Sequence, residues 1–314
     1  MKPELRAAIE NNYAISICKC ISGPRQFVAE TYILEDSKGC KYFCKLIDKP
    51  LFIREIIKSL PVVAQMHANG IDRITYPIRA HEKLHIFVGD TLVVLFNYIP
   101  ALQSYDYNAY SLGLLTAQIH AITPHITADI PRENFQFPGR SLFDAHFENS
   151  LCAQNIDPVI QALQKVLFAH EKDIHRHYSK FLQLGILCRS QPCELVITHG
   201  DAPGNVLVKS QEDIYIIDWD ETMLAPAERD LWMVDHLPDF ISGYESIQLS
   251  YAINKDMRSF YILKYYFRSM MHYFSEILGR GDQEYRLIHV NNLEENLLTG
   301  WMMPKLNEID PSKN

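Results

Sequence analysis

Along the first hundred residues the apolar positions come in short runs broken by turn residues. Residues 14–20, 28–35 and 41–47 are rich in β-branched, aromatic and Cys side chains, and Gly23-Pro24 and Asp36-Ser37-Lys38-Gly39 separate them. That pattern predicts a three-stranded antiparallel meander. From Phe52 to His67 the period lengthens: Ile53, Ile56, Ile57, Leu60, Val63 and Met66 fall on one helical face. Pro61 is expected to kink or delay this helix, and Asn69-Gly70 to close it. Residues 84–88 and 91–98, joined by Gly89-Asp90, predict a hairpin.

After Pro100 the helical period dominates. Leu112, Leu115 and Ile119 share a face, as do Val159, Leu163, Val166 and Leu167 in a helix that continues or restarts through Ile186. Three short strands, 195–198, 206–209 and 214–217, interrupt this helical part. The expected fold is therefore α+β in two lobes. Residues 1–97 would form an N-lobe of sheet plus one main helix, and residues 98–314 a larger, mostly helical C-lobe. A chain of 314 residues that is 47% apolar has enough hydrophobic mass for two cores.

Composition narrows the partners. With 30 Lys and Arg against 38 Asp and Glu, the formal charge is −8, which disfavours nucleic acid or an anionic membrane as the main partner. It suits a cationic small molecule, although solubility alone explains a mild acidic excess. The first residues hold no apolar stretch of signal-peptide length and no later segment is long and uncharged enough to span a bilayer, so a cytoplasmic location is expected. Seven cysteines without a C-x-x-C pair, beside apolar runs, read as reduced thiols rather than a disulfide or zinc framework. Neither H-E-x-x-H, nor G-x-S-x-G, nor a P-loop occurs.

The chemistry concentrates between His199 and Asp230. His199-Gly200-Asp201-Ala202-Pro203-Gly204-Asn205 lies between two apolar runs, and a third run ends in Asp218-Trp219-Asp220. An H-G-D or a D-W-D alone is as well explained by a turn or a solvated loop. In order and flanked by strands, they supply what phosphoryl transfer needs: one carboxylate to orient a hydroxyl, and an amide plus a second carboxylate to hold Mg²⁺ against phosphates.

HGD followed by Asn, then IDWDETMLAPAERDLW, resembles the aminoglycoside phosphotransferase family of the protein-kinase-like fold, and within it the spectinomycin phosphotransferase branch. The resemblance implies ATP and Mg²⁺ as cofactors and a small-molecule alcohol as acceptor, an aminoglycoside or aminocyclitol such as spectinomycin. It implies Asp201 as the catalytic Asp and Asn205 and Asp218 as metal ligands, with His199, Asp220 and Asp230 supporting the site. Lys45, ending the third strand in YFCKL, would bind the α and β phosphates, with Glu55 on the next helix as its partner. Ser22 and Gly23, in the loop 21–26, would cover the phosphates, and Phe96, Asn97 and Tyr98 would form the adenine-binding linker. One departure stands out: Asn205 follows Asp201 by four positions where the kinase pattern has five. A metabolite-alcohol kinase, or a nucleotide binder without catalysis, are the competing expectations. Carboxylates such as Asp239, Glu245, Glu276 and Glu294, with Tyr244, Tyr273 and Trp301, could line an acceptor cleft, though helix faces carry such residues by default.

Overall fold

The computed structural model describes residues 1–24, 29–152, 157–249 and 251–309, apart from the side chain of Leu51. The chain divides into two compact units, Met1–Glu133 with Glu194–Ala252 and Asn134–Cys193 with Ile253–Asn314. The fold is α+β, with an antiparallel-sheet N-lobe and a mostly helical C-lobe, as the periodicity predicts. The sheet and the segment from His199 to Asp230 both belong to the first unit.

The first unit opens with α1 (Pro3–Tyr13), a helix the apolar pattern does not announce. Then come β1 (Ile17–Ser22), β2 (Glu30–Asp36), β3 (Lys41–Ile47), α2 (Pro50–Ala68), β4 (Ile86–Val88) and β5 (Thr91–Asn97). The sheet order is β1-β2-β3-β5-β4, antiparallel throughout. The expected meander is present; Val28, where the pattern predicts its second strand to begin, lies outside the described residues. Strand alternation sorts the sheet into two faces. Tyr32, Leu34, Cys44, Leu46, Val93 and Leu95 meet Ile9 and Tyr13 of α1, while Phe43, Ile47, Leu92, Val94 and Phe96 meet Ile56 and Leu60 of α2. Lys45, between Phe43 and Ile47, is thereby committed to the α2 side. Pro61 does not interrupt α2, which runs unbroken to Ala68 and stops at Asn69-Gly70 with Gly70 at φ +92°.

Beyond the sheet come the two-residue strand β6 (Leu102–Gln103) and α3 (Ala109–Ala121), whose first turn is capped by the Asn108 side chain accepting from Tyr110 N at 2.8 Å. The chain then builds α4 (Arg140–Cys152) and α5 (Pro158–Ser190) in the second unit. It returns for β7 (Val196–Thr198), β8 (Val206–Val208), β9 (Ile214–Ile216), β10 (Met223–Ala225), α6 (Glu228–Leu231) and α7 (Pro238–Glu245). β8 lies between β6 and β9, and β7 pairs with β10. Around them Leu112, Leu115, Ile197, Val206, Ile216, Trp219, Leu231 and Tyr244 form one apolar cluster.

The second unit is helical: α4, α5, α8 (Lys255–Leu278), α9 (Gln283–Asn292), a π-helical turn at Leu293–Leu298 and α10 (Met302–Ile309). The region between Val159 and Ile186 is one continuous helix. Its core is aromatic, with Phe143, Phe181, Phe260, Phe267 and Phe274 all buried and Phe181 stacked on Phe267 at 5.5 Å.

Candidate active site

Lys45 sets the geometry. Its side chain is 5% exposed, and its Nζ lies 2.5 Å from Asp218 Oδ1 and 3.1 Å from Asp220 Oδ2. Burial works against the Lys45 charge, but the two carboxylates outweigh it and hold the ammonium above its ordinary pKa. Burial likewise opposes the charge on Asp218, yet Lys45 keeps that carboxyl below the usual range. Asp220 goes the other way: burial and the adjacent Asp218 charge raise it despite Lys45. One cation thus serves two carboxylates, and Asp218 holds its charge more firmly.

Asp218 reaches this position through its backbone. It sits in the left-handed region at φ 66°, ψ 57°, a conformation that costs a side-chain-bearing residue about 1–2 kcal/mol. The turn it makes leads from β9 into a 3₁₀ turn, Trp219–Glu221. Trp219 is buried there, donating Nε1–H to Ile216 O at 3.1 Å and meeting the His199 ring edge-on at 4.7 Å. With the indole anchored inward, the residues on either side of it face Lys45.

Glu55 does not. Ile56 and Leu60 are the core positions of α2, and Glu55, one step off that face, is exposed and pairs with Lys58 at 3.4 Å. The carboxylate offered by the next helix is therefore not the one that meets Lys45, whose partners come from the 218–220 turn.

The loop from His199 to Asn205 is held on both sides. His199 Nδ1 accepts from Asp201 N at 3.2 Å and its Nε2 faces Ile217 O at 2.7 Å, which places the ring hydrogen on Nε2. Ile217 N in turn donates to Asn205 O at 2.9 Å. Residues 202–204 form a 3₁₀ turn closed by Asn205 N to Ala202 O at 2.9 Å, and this compact turn takes up the missing residue. Asn205 Nδ2 still reaches Asp201, at 2.8 Å to its carbonyl and 3.3 Å to Oδ2. Two side chains pin the turn from outside: Gln103 Nε2 donates to Gly204 O at 2.7 Å and the Tyr107 hydroxyl to Pro203 O at 3.2 Å.

Asp230 closes the loop from behind, accepting from His199 N at 2.9 Å and Gly200 N at 2.6 Å. Burial opposes its charge, but the His120 hydrogen bond and the neighbouring Arg229 keep its carboxyl below the ordinary value. Gly200 is at φ +91°, and a Cβ there would lie 2.3 Å from Arg229 Nη2; only glycine fits. Arg229 donates to Thr198 Oγ1 at 2.8 Å and to Glu221 O at 3.0 Å, joining β7 to the 219–221 turn. Gln103, Tyr107, His120 and Arg229 are absent from the sequence-based candidates. Tyr244, one of the residues that could have lined an acceptor cleft, is buried against His120.

Of these groups, Lys45, Gln103, Ile217, Asp218, Trp219 and Asp220 border a cleft of about 360 Å³, and Asp201 and Asn205 lie outside its lining. Ile33 and Phe43, paired across β2 and β3, form one wall, Leu207 and Ile217 another, and Lys45, Asp218 and Asp220 the polar end. Phe96, Asn97, Tyr98 and Ile99 run along the edge. Asn97 is occupied by the fold: its Oδ1 accepts from Tyr76 N at 2.7 Å and its own N–H donates to Tyr76 O at 3.1 Å. Of the loop expected to cover the phosphates, Pro24 reaches the cleft, whereas Ser22 and Gly23 end the β1–β2 hairpin, with Gly23 N donating to Thr31 O at 2.8 Å. Arg25 and Gln26 lie outside the described residues.

No cluster of three His, Cys, Asp or Glu side chains among the described residues is arranged for a metal. The oxygen donors on offer are instead the Asn205 amide oxygen, whose Nδ2 binds Asp201, and the Asp218 carboxylate. Two hard oxygen donors suit Mg²⁺, which keeps waters and shares phosphate oxygens rather than filling an all-protein cage.

The family model described as phosphotransferase enzyme family matches residues 24–240. Among solved structures, the chain is similar to the spectinomycin phosphotransferase APH(9)-Ia in complex with ADP and spectinomycin. Identity is 24%, covering 93% of this chain and 94% of that one, with a TM-score of 0.74. It is also similar to the GDP and kanamycin complex of APH(2")-IIIa, at 15% identity over 96% and 100% of the two chains and a TM-score of 0.59. The choline kinase LicA from Streptococcus pneumoniae shares 16% identity over 94% and 98%, with a TM-score of 0.54. At these identities the likeness is one of fold. No curated protein matches the chain.

Proposed function

The chain belongs to the phosphotransferase enzyme family and is a phosphotransferase, and we propose that it moves the γ-phosphoryl group of ATP to a hydroxyl of an aminoglycoside or aminocyclitol, with spectinomycin the leading acceptor. The observation that carries the reading is the meeting of Lys45, Asp218 and Asp220 at the polar end of an apolar cleft, with Asp201 and Asn205 tied to the same turn through Ile217. The choice of acceptor is supported by the fold likeness to a spectinomycin phosphotransferase and by the formal charge of −8, which suits a cationic ligand.

In this reading the cleft walls, Ile33, Phe43, Leu207 and Ile217, sandwich the adenine, and the backbone of the 96–99 linker hydrogen-bonds its edge. Lys45 neutralises the α and β phosphates. Asn205 and Asp218 would hold Mg²⁺, which when bound would supply further positive charge against the phosphate oxygens. Asp201 accepts the hydrogen bond of the acceptor hydroxyl, aims its lone pair and takes the proton as the new O–P bond forms and the bond from the γ-phosphorus to the β,γ-bridging oxygen breaks, releasing ADP. Transfer of this kind depends on placement and charge more than on a strong base, so a carboxylate fixed by Asn205 suffices. His199, Asp220 and Asp230 position these groups. Among the described residues no helix is long and apolar enough to cross a membrane, which is compatible with a cytoplasmic enzyme.

A second reading, a kinase of a metabolite alcohol, is favoured by the fold shared with a choline kinase. The test is mass spectrometry of spectinomycin, kanamycin, choline, homoserine and simple sugars incubated with protein, ATP and Mg²⁺. We expect one added phosphate on spectinomycin. A much higher kcat/KM for choline, homoserine or a sugar would transfer the role to the second reading. Nucleotide-dependent thermal stabilisation without transfer to any acceptor would reduce the protein to a nucleotide binder.

A further inference from the structure

Helices α3 and α7 cross with their backbones in contact. A Cβ on Gly113 would lie 2.0 Å from Phe240 O, and one on Gly243 would lie 2.1 Å from Tyr110 O. A side chain at either position would force the helices apart. His120 stands two turns along α3 from Gly113 and so on the same face, and Tyr244 follows Gly243 directly. The glycine crossing is what lets them meet inside the apolar core.

The Tyr244 hydroxyl is 2.8 Å from His120 Nδ1, and His120 Nε2 is 3.2 Å from Asp230 Oδ2. A carboxylate only accepts, so Nε2 carries the hydrogen and Nδ1 is left to accept from the phenol. Burial, with the nearby Asp230 charge, pushes the Tyr244 pKa far up, which keeps the phenol a donor. The hydrogen bonds therefore run one way, from Tyr244 through His120 to Asp230. The His120 side chain has no exposed surface, so water cannot replace a missing partner.

Asp230 receives three donors. Two are the loop amides of His199 and Gly200, which move with the loop; the third, His120, belongs to α3. With the loop amides alone, the carboxylate could turn with the loop it is meant to hold. We infer that Tyr244 is a positioning residue for phosphoryl transfer: by holding His120 on the Asp230 carboxylate it ties the His199–Asp201 loop, and with it Asp201, to the α3–α7 crossing. The inference rests on the proposed role of Asp201.

Tyr244→Phe tests it with the least disturbance, because the ring and its packing remain and only the hydroxyl leaves. His120→Gln is the second variant. Hydrogen exchange of the His199 and Gly200 amides should quicken about fivefold to tenfold, with α2 amides unchanged. The ¹⁵N signals of His120 should lose their pure Nε2–H signature in Tyr244→Phe. On an accepted substrate, kcat should fall about tenfold while KM for ATP moves by less than about twofold. Wild-type exchange at His199 and Gly200 in both variants would overturn the inference. So would faster exchange spread evenly over the first unit, which would mark the pair as packing alone. The exchange readout needs no acceptor, so a wild-type protein that phosphorylates nothing would sink the functional reading while the state of the relay remained measurable.

Discussion

Different forces hold the segment between His199 and Asp230, which mixes buried and exposed positions, and the buried aromatic core of the second unit. Around the loop, the decisive contacts are single hydrogen bonds from side chain to backbone: Asp230 to two amides, His199 to Ile217 O, Arg229 to Glu221 O, Gln103 to Gly204 O. In the second unit they are ring faces and edges, as where Phe267 meets Phe143 at 5.2 Å and Phe181 at 5.5 Å. Hydrogen bonds fix atoms within tenths of an ångström but add little net stability each. Apolar burial contributes much free energy with weaker directional demands. The loop should therefore be poor in stability and rich in placement, and the second unit the reverse.

The sharpest break in that comparison comes from two substitutions measured side by side. Asp201→Asn keeps shape and most packing, so the melting temperature should stay within about 2 °C while kcat falls by about 10²–10⁴. Retained activity would remove Asp201 from its assigned role, and a preserved nucleotide-induced thermal shift would show the cleft intact. Phe267→Ala inverts the pattern. Its ring is fully buried, and its loss should cost about 3–5 kcal/mol, read as a lower midpoint in thermal or urea unfolding. The surviving folded fraction should show near wild-type KM for ATP.

Acid sharpens the comparison further, because charge is what the loop has and the aromatic core lacks. Asp230 is ionised more readily in the folded protein than in the unfolded chain. A carboxyl with a depressed folded pKa contributes stability above its unfolded value, and that stability is lost as pH falls from about 4 through the folded value. Melting temperature should thus drop on acidification more steeply in the wild type than in Asp230→Asn, which has no proton to take up there. Parallel slopes would mean that the Asp230 charge contributes nothing to acid stability.

What the sequence makes legible follows the same division. Strand and helix periods locate β2, β3, β5, α3 and α5, because apolar burial repeats at fixed intervals. H-G-D, Asn205 and D-W-D are readable because their residue types and order match what the proposed chemistry needs. Partners whose importance arises from tertiary crossing are not readable. His120 lies in an apolar helix face like any core histidine, and Tyr244 is one aromatic among many. Only the close approach at Gly113 and Gly243 joins them, and a small residue on each helix is the one faint signal beforehand. The short strands β6 and β10 escape notice because two or three residues carry no measurable period. Pro61 is expected to disturb α2, yet a helix packed on a sheet face through Ile56 and Leu60 and on a second apolar cluster through Val63 absorbs one missing N–H.

Glu55 provides the smallest effect and the finest discrimination. Strand order and helix order make it the natural partner for Lys45, as the first carboxylate of the helix that follows. In space it is exposed and pairs with Lys58, and a surface pair three residues apart on a helix contributes at most a few tenths of a kcal/mol. Glu55→Ala should therefore change the unfolding free energy by less than about 0.5 kcal/mol and leave KM for ATP unaltered. If instead KM rose severalfold, α2 would have to turn when nucleotide binds, bringing Glu55 inward to relieve Asp220 of the Lys45 charge. A flat result means that the 218–220 turn alone holds Lys45, so that the placement of this lysine depends on Asp218 and Asp220 and is insensitive to the outward face of α2.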